Sequence, residues 1–280
     1  MKATRLVAAA MATLMACSCG NAKTSSGQEP AAETEDVTTM EIGSIRLITI
    51  RDDNGERRMP NKLFYGKADS AKVERLSPEG SVPSSVSCFL VEAKGKKVLF
   101  DTGNGAGRGG MLLKRLKDIG VKPGDIDYLV ITHFHGDHIG GMTANGKLVF
   151  TNAEVYVPDA EYTAWESMEN GKTAMETMKA YGDKLRRFGY ADTLPLGIKP
   201  MAAPGHTPGH TVYQIGRLFV AGDLFHGFDL QIQDLSICPG FDMDRPQATA
   251  SRRKYVDYVK THKLVLAGMH LPDNGVKEGL

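Results

Sequence analysis

The sequence contains little cysteine and almost no net charge. Four cysteines occur in 280 residues, and 34 basic residues nearly balance 33 acidic ones. A net charge of +1 gives no electrostatic argument for nucleic-acid binding. Cys17, Cys19, Cys88 and Cys238 have neither zinc-ribbon spacing nor the density of a disulfide framework. These absences argue against a nucleic-acid-binding protein and against a small disulfide-stabilised one.

The sequence also lacks an apolar run long enough to span a membrane. The longest one near the N-terminus, Leu6–Ala16, follows Lys2 and Arg5, which is the pattern of a secretory signal. It ends in Leu-Met-Ala-Cys, which resembles a bacterial lipobox. We therefore expect residues 1–16 to be a signal peptide of the lipoprotein type, with Cys17 as the lipid acceptor. The alternative is an ordinary signal peptide that is cleaved nearby. Both possibilities predict an exported bacterial protein, either periplasmic or anchored to the membrane as a lipoprotein.

The next segment, residues 17–41, has no hydrophobic periodicity. Its residues are small, polar and acidic, so it is predicted to be a disordered tether between the membrane anchor and the fold. A single folded domain is expected over 42–280.

Within this domain, strands and helices alternate in two blocks. Alternating or continuous apolar residues predict strands at 44–51, 85–92, 97–100, 127–131, 147–150, 154–157, 199–203, 211–215, 218–221 and 264–267. Helical spacing predicts helices at 109–119, 159–188 (with a break at 170–171) and 246–260. Strands followed by helices, twice, predict a layered α/β fold.

The scarce histidines are concentrated in one place, where the sequence His133-Phe134-His135-Gly136-Asp137-His138 follows the strand at 127–131. In an extended segment His133 and His135 point to the same side, whereas Asp137 and His138 follow a glycine turn and point elsewhere. Two pairs of ligands predict two adjacent metal ions. Because no cysteine is nearby, the ligands are nitrogen and oxygen, which suit zinc and other first-row metals.

Three further positions follow predicted strands and lie in glycine-containing turns. They are His206 in Pro-Gly-His-Thr-Pro-Gly-His, Asp223 after Gly222, and His270 after Gly-Met. Each of these alone is compatible with an ordinary tight turn, since Pro and Gly are turn residues. Loops at strand ends are also where a rigid scaffold presents functional side chains.

Taken together and in this order, these motifs resemble the metallo-β-lactamase fold superfamily from about residue 42 to the C-terminus. The resemblance implies a four-layer αββα sandwich with the site at one edge between two sheets. It also implies seven metal ligands: His133, His135 and His206 for one ion, Asp137, His138 and His270 for the other, and Asp223 bridging both. By the same resemblance, Asp101 supports the site without binding metal.

This resemblance implies a dinuclear zinc hydrolase, in which a metal-bridging hydroxide attacks a lactone or ester and Asp137 also orients the nucleophile or passes its proton. Other divalent metal ions are possible. Residues 222–226, 241–244, 251–253 and 268–272 are similar to the branch that contains methyl parathion hydrolase and quorum-quenching lactonases. The chain departs from that branch at 273–275, which disfavours an organophosphate pocket.

Other readings stay open at this point. They are β-lactamase or phosphotriesterase activity, an iron-dependent redox member of the same fold, and a non-catalytic surface lipoprotein. The expected partner is a small-molecule substrate, with membrane contact only through the N-terminal anchor. His210 is expected to be structural, His226 to line the pocket and His262 to lie on the surface. We expect the pocket walls to come from 63–65, the 159–188 stretch and the 224–241 loop.

Overall fold

A computed structural model describes residues 34, 36–64 and 70–280. The predicted signal peptide (1–16), Cys17 and most of the predicted tether lie outside these residues, as does Tyr65. In the part of the chain that the structure describes, no helix is both long enough and apolar enough to cross a membrane.

The secondary structure follows the predicted order, with short additional elements. Among the described residues the strands are β1 (Val37–Ile42), β2 (Ile45–Arg51), β3 (Arg57–Pro60), β4 (Ser81–Ser84), β5 (Ser87–Ala93), β6 (Lys96–Phe100), β7 (Tyr128–Val130), β8 (Thr143–Ala144), β9 (Lys147–Leu148), β10 (Glu154–Pro158), β11 (Leu185–Phe188), β12 (Lys199–Ala202), β13 (Thr211–Ile215), β14 (Leu218–Val220), β15 (Val265–Ala267) and β16 (Val276–Lys277). The α-helices in the same residues are α1 (Ser70–Leu76), α2 (Leu112–Asp118), α3 (Gly136–Ile139), α4 (Asp159–Ser167), α5 (Lys172–Ala180), α6 (Phe228–Gln231) and α7 (Arg245–His262).

Two sheets form the centre of the molecule. The first has the strand order β1-β2-β5-β6-β7-β10-β11, and it is antiparallel from β1 to β6 and parallel from β6 to β11. The second has the order β12-β13-β14-β15-β16, in which β14 and β15 are parallel. Two short two-stranded sheets, β3-β4 and β8-β9, lie outside these two sheets.

Side chains that alternate along the strands build three apolar layers. One lies between helices and the first sheet, one between the two sheets, and one between the second sheet and α7. In β5, Cys88 and Leu90 face the layer that contains α2, α4 and α5, whereas Phe89 and Val91 face the second sheet. In β15, Leu266 faces α7 from the other side of the second sheet. The order of layers is therefore helices, sheet, sheet, helix, and the predicted αββα sandwich is confirmed.

The fold begins earlier than predicted, because 37–41 belong to β1 rather than to a tether. β1 pairs antiparallel with β2 along its whole length, from Val37 opposite Ile50 to Ile42 opposite Ile45. It is an edge strand, so only its two ends, Val37 and Ile42, are buried. Its central residues are not buried, so the sequence shows no hydrophobic strand pattern there.

Two other regions also differ from prediction. Leu185–Phe188, predicted as the end of a helix, forms β11, because it pairs in parallel with β10 at the sheet edge. Residues 52–83, where the sequence predicts neither strand nor helix, contain the two-stranded β3-β4 sheet and α1. There Met59, Phe64 and Val73 form a separate apolar cluster with residues near α6, which gives this short segment a core of its own.

Candidate metal centre

The ends of several strands bring the predicted site residues to one edge of the sandwich. Asp101 follows β6 and His133 comes shortly after β7, in the parallel part of the first sheet. Asp223 follows β14, and His270 follows β15, its parallel neighbour. His206 lies in the loop between β12 and β13. Because the carboxyl ends of parallel strands share an edge, residues that are far apart in the sequence meet there.

Three ring nitrogens converge on one point. The His133 Nε2 atom is 3.0 Å from His135 Nδ1, which is 2.9 Å from His206 Nε2, and the triangle closes at 3.2 Å between His206 and His133. A tetrahedral zinc ion with Zn–N bonds of about 2.0–2.1 Å places its ligands about 3.3 Å apart. The triangle therefore has nearly the dimensions of one face of a zinc coordination sphere.

A second group of candidate ligand atoms adjoins the first. The Oδ2 atom of Asp137 is 3.5 Å from His270 Nε2, and its Oδ1 atom is 3.8 Å from His138 Nε2. Asp223 lies between the two groups: its Oδ2 atom is 3.2 Å from both His206 Nε2 and His270 Nε2, and its Oδ1 atom is 3.2 Å from His138 Nε2. One carboxylate thus faces both groups of ligand atoms.

Two buried atoms at this junction support the fit of a metal ion. His138 Nε2 and Asp223 Oδ1 are buried and have no hydrogen-bond partner among the described residues. Unpaired buried polar atoms are rare because they lose their hydration without compensation. A cation between them would satisfy both, and imidazole nitrogen and carboxylate oxygen are ligands that zinc accepts. The residues present therefore fit a two-ion site.

The outer hydrogen bonds fix which nitrogen of each ring faces the site. His138 Nδ1 donates to Asp101 Oδ2 at 2.7 Å, and Thr132 Oγ1 donates to the same oxygen at 2.7 Å. The Thr132 hydroxyl in turn lies 3.0 Å from His133 Nδ1 and accepts from it. Both rings therefore present a free Nε2 to the centre. Such outer bonds are typical of metal-binding histidines.

His206 and His270 are held in the same way. His206 Nδ1 donates to Asp242 Oδ1 at 2.9 Å, and His270 Nδ1 donates to the backbone carbonyl of Ser85 at 2.6 Å. The fully buried Arg252 lies behind Asp242, with Nη2 3.4 Å from its Oδ2 atom. No motif in the sequence predicts roles for Asp242, Arg252 or Ser85, since a single carboxylate or serine carries no motif. The available signal was the similarity at 241–244 and 251–253, which contain Asp242 and Arg252.

The three remaining histidines have different surroundings. His210 Nδ1 donates to Ala203 O at 3.0 Å and its Nε2 accepts the Asp223 N–H at 2.9 Å, so neither nitrogen is free for a metal ion. His226 Nε2 lies 3.0 Å from Asp223 Oδ2 at the cavity, as the predicted pocket position requires. His262 is exposed near the end of α7.

The electrostatic setting suits a cation. Burial and the nearby His206 lower the pKa of His135 to about 3, so its ring is neutral and can bind metal. Burial also lowers the pKa of His206, but its hydrogen bonds with Asp223 and Asp242 outweigh this and raise the value to about 9. Burial disfavours charge on Asp223, yet the imidazoles of His138 and His270 hold its pKa well below the usual range. A cation at this point would take the place of the His206 proton.

A cavity of about 380 Å³ opens over this cluster. Its floor consists of ligand residues and His226, and its wall contains Arg57, Met59, Leu63 and Phe241. Leu63 and Phe241 fall within the segments predicted to form the wall. The 159–188 stretch contributes no residue to the lining of this cavity, contrary to prediction, because α4 packs behind His135 rather than beside the opening.

Comparison with known proteins identifies the family. The model of the metallo-beta-lactamase superfamily matches residues 82–268, more than half of the chain. An N-acyl homoserine lactonase from Bacillus thuringiensis is 29% identical over 218 residues, which cover 68% of this chain and 83% of that protein.

Solved structures agree in fold. AidC, a dizinc quorum-quenching lactonase, superposes with a TM-score of 0.79 at 27% identity, covering 86% of this chain and 92% of AidC. The hydrolase AbOPH of the beta lactamase superfamily reaches a TM-score of 0.77 at 23% identity, covering 88% and 94% of the two chains, and supports the fold alone. With the family model, the fold and the His/Asp cluster in agreement, this chain belongs to the metallo-beta-lactamase superfamily and is a metallo-hydrolase.

Proposed function

We propose that the protein is a dinuclear zinc hydrolase that opens a lactone or cleaves an ester. The observation that carries this proposal is the position of Asp223, whose two oxygens face the three-histidine group and the Asp137–His138–His270 group. A single-ion site has no need of a second set of ligands around the same carboxylate.

His133, His135 and His206 would hold one ion, Asp137, His138 and His270 would hold the other, and Asp223 would contact both. When bound, two adjacent divalent ions polarise a carbonyl oxygen and activate water at neutral pH. The exclusively nitrogen and oxygen donors favour zinc, although manganese, iron or cobalt can use the same ligands.

Asp137 is the carboxylate best placed to handle protons. Its side chain is 29% exposed and lines the cavity, whereas that of Asp223 is 2% exposed and enclosed by imidazoles. Its oxygens can orient an attacking water, accept a proton from it and pass that proton to the leaving oxygen. Asp137 is therefore assigned a catalytic role as well as a place in the second ligand group.

The cavity wall indicates the class of substrate. Met59, Leu63 and Phe241 provide apolar surface beside the ligand cluster, and Arg57 adds a cation. Leu63 and Phe241 are 36% and 38% exposed, and large apolar side chains left exposed beside a reactive centre mark a binding surface. This combination suits a small ester or lactone with an apolar chain and a polar carbonyl group. Because relatives are N-acyl homoserine lactonases, N-acyl homoserine lactones are the first substrates to test.

Substrate turnover with and without chelator tests this proposal. Purified protein should contain two zinc ions per chain and hydrolyse N-acyl homoserine lactones. A chelator should abolish this activity and Zn²⁺ should restore it. A panel of aryl esters, thioesters, nitrocefin and paraoxon sets the specificity, and turnover of nitrocefin or paraoxon alone would refute the lactone and ester assignment. Stoichiometric iron without any hydrolysis would refute the zinc hydrolase itself.

Export and lipid anchoring are proposed from the sequence alone. Labelled palmitate should enter the full-length protein expressed in bacteria and be lost in Cys17→Ser. Cys19→Ser is the matched control, since it removes a cysteine two residues away and should leave the label in place. Label that persists in Cys17→Ser would contradict the anchor.

A further inference from the structure

A buried carboxylate outside the proposed ligand set connects two of the ligand loops. Glu161, in the first turn of α4, has 0% relative exposure. It has no salt bridge to any described residue, so its charge is balanced by hydrogen bonds alone. A glutamate is rarely buried in this way unless its oxygens are fully hydrogen-bonded.

The two oxygens of Glu161 accept four hydrogen bonds. Oε1 accepts the backbone N–H of Phe134 at 3.0 Å and the indole N–H of Trp165 at 2.6 Å. Oε2 accepts the hydroxyl of Thr207 and the backbone N–H of Gly209, both at 2.8 Å. An ionised carboxylate has about four acceptor positions and no donor, so four donors fill it.

The donors lie beside the three-histidine group. Phe134 stands between His133 and His135, and Thr207 directly follows His206. These ligands belong to loops that are more than 70 residues apart in the sequence, and Glu161 bonds to both loops at once. It thereby fixes the distance between the two loops that carry the three converging ring nitrogens.

Glu161 also orients the ligand that has no outer hydrogen bond of its own. Among the described residues, His135 Nε2 has no hydrogen-bond partner, in contrast to the outer nitrogens of the other ligand histidines. The ring of His135 instead lies edge-on to Trp165, with centroids 5.7 Å apart and planes at 82°. The indole N–H bond to Glu161 holds Trp165 in that position.

The backbone packing leaves little room for adjustment. A Cβ atom on Gly209 would lie 2.1 Å from the backbone nitrogen of Glu161, so a glycine is needed for the loop to approach α4 this closely. A Cβ atom on Gly205, at the other end of the same loop, would lie 2.0 Å from the backbone nitrogen of Ala248 in α7. The His206 loop is thus held between α4 and α7.

We propose that Glu161 is a positioning residue that sets the geometry of the three-histidine ion site by tying the His133–His135 loop, the His206 loop and Trp165 to one buried carboxylate. This inference rests on the proposed metal centre. It assigns to Glu161 a role in ion affinity and coordination geometry, beyond a contribution to the stability of the fold.

The test compares Glu161→Gln with Glu166→Gln. In Glu161→Gln, an amide NH₂ group replaces one acceptor oxygen. The two buried donors that bonded to this oxygen then face a third donor instead of an acceptor. The second changes an exposed glutamate on the same helix and serves as the matched control. Full-length proteins are stripped of metal and titrated with Zn²⁺ against a chromophoric chelator, and with Co²⁺ while the visible absorption is recorded.

Loss of an outer partner of a metal ligand typically weakens metal affinity 10- to 100-fold. In Glu161→Gln we therefore expect one of the two binding steps to weaken by about 10- to 100-fold, the other by less than about threefold, and the Co²⁺ absorption of the weakened step to change. Glu166→Gln should match the wild type in both steps. A purely structural role would lower the melting temperature of the metal-free protein and leave the relative strength of the two steps and the Co²⁺ spectrum unchanged.

The outcomes separate this inference from the proposed function. If the wild type binds two ions and Glu161→Gln binds them with the same affinities and the same spectrum, the positioning role is wrong and the metal centre stands. If the wild type binds no metal, both are wrong. Should Glu161→Gln fail to fold, Trp165→Phe removes the indole N–H donor together with the five-membered ring, and keeps an aromatic ring beside His135. The same selective weakening in that variant, at smaller size, supports the proposal, and wild-type binding overturns it.

Discussion

The ligand cluster and the cavity wall lie within one site but are built in opposite ways. His133 and Asp223 in the cluster have relative exposures of 0% and 2%, and both are held by buried hydrogen bonds. The wall residues Leu63 and Phe241 are 36% and 38% exposed and belong to segments outside the two central sheets. Under the proposed function, the buried part of the site would carry the chemistry, and the exposed part would select the substrates that reach it.

The largest effect should come from the residue that joins the two ligand groups. Asp223→Asn keeps the shape of the side chain and removes its charge, so we expect the second ion to be lost and kcat/KM to fall by at least about 1,000-fold. Zinc content and lactone turnover measure this. Asp229→Asn, an exposed aspartate on α6, is the control and should behave like the wild type. Full activity in Asp223→Asn would remove the cluster from the mechanism.

Removal of metal should lower the stability of the ligand cluster and not that of the cavity wall, because only the cluster is proposed to bind metal. A ligand present at 100 times its Kd stabilises the folded state by about 2.7 kcal/mol. For a domain of this size that corresponds to a melting temperature about 5–10 °C lower after metal removal. Scanning calorimetry of metal-free and zinc-loaded protein measures the difference. Equal melting temperatures at saturating Zn²⁺ would contradict a structured metal site.

The two regions also differ in how far the sequence predicts them. All seven predicted ligands meet in the structure, because each lies in a short motif directly after a strand and parallel strands bring such positions to one edge. The wall has no such signal. Arg57 and Met59 reach the cavity through β3 of the β3-β4 sheet, in a segment where the sequence predicts neither strand nor helix.

The outer hydrogen bonds are intermediate between these cases. Glu161 and Asp242 contact the ligand loops from α4 and from the segment before α7, at separations of 27 and 36 residues from Phe134 and His206. From sequence, a single carboxylate in a helix is predicted to be exposed to solvent. Only the tertiary structure shows that it is buried. For the same reason the sequence predicts a tether at 37–41, where pairing with β2 forms the edge strand β1.

A moderate effect is expected at this outer level. Asp242→Asn replaces the acceptor of the His206 Nδ1–H bond, and we expect zinc affinity to fall by about 10- to 100-fold while the fold is retained. Competition with a chelator measures the affinity. Asp257→Asn, at an exposed position of α7, should leave it unchanged. An Asp242→Asn protein with wild-type affinity would show that the orientation of His206 does not depend on this bond.

The smallest and most selective effect should come from the wall. Phe241 lies over the site with its ring centroid 6.0 Å from that of His206, so Phe241→Ala removes apolar surface without touching a ligand atom. We expect the KM for long-chain N-acyl homoserine lactones to rise about 3- to 10-fold, as loss of 1 kcal/mol or so of apolar contact predicts, with kcat and zinc content unchanged. Met243→Ala, two residues further on, is 44% exposed and outside the cavity lining, and should match the wild type. If Phe241→Ala instead lowered kcat equally for short and long chains, the wall would act on the reacting group itself, and the division between the chemistry of the cluster and the selectivity of the wall would be wrong.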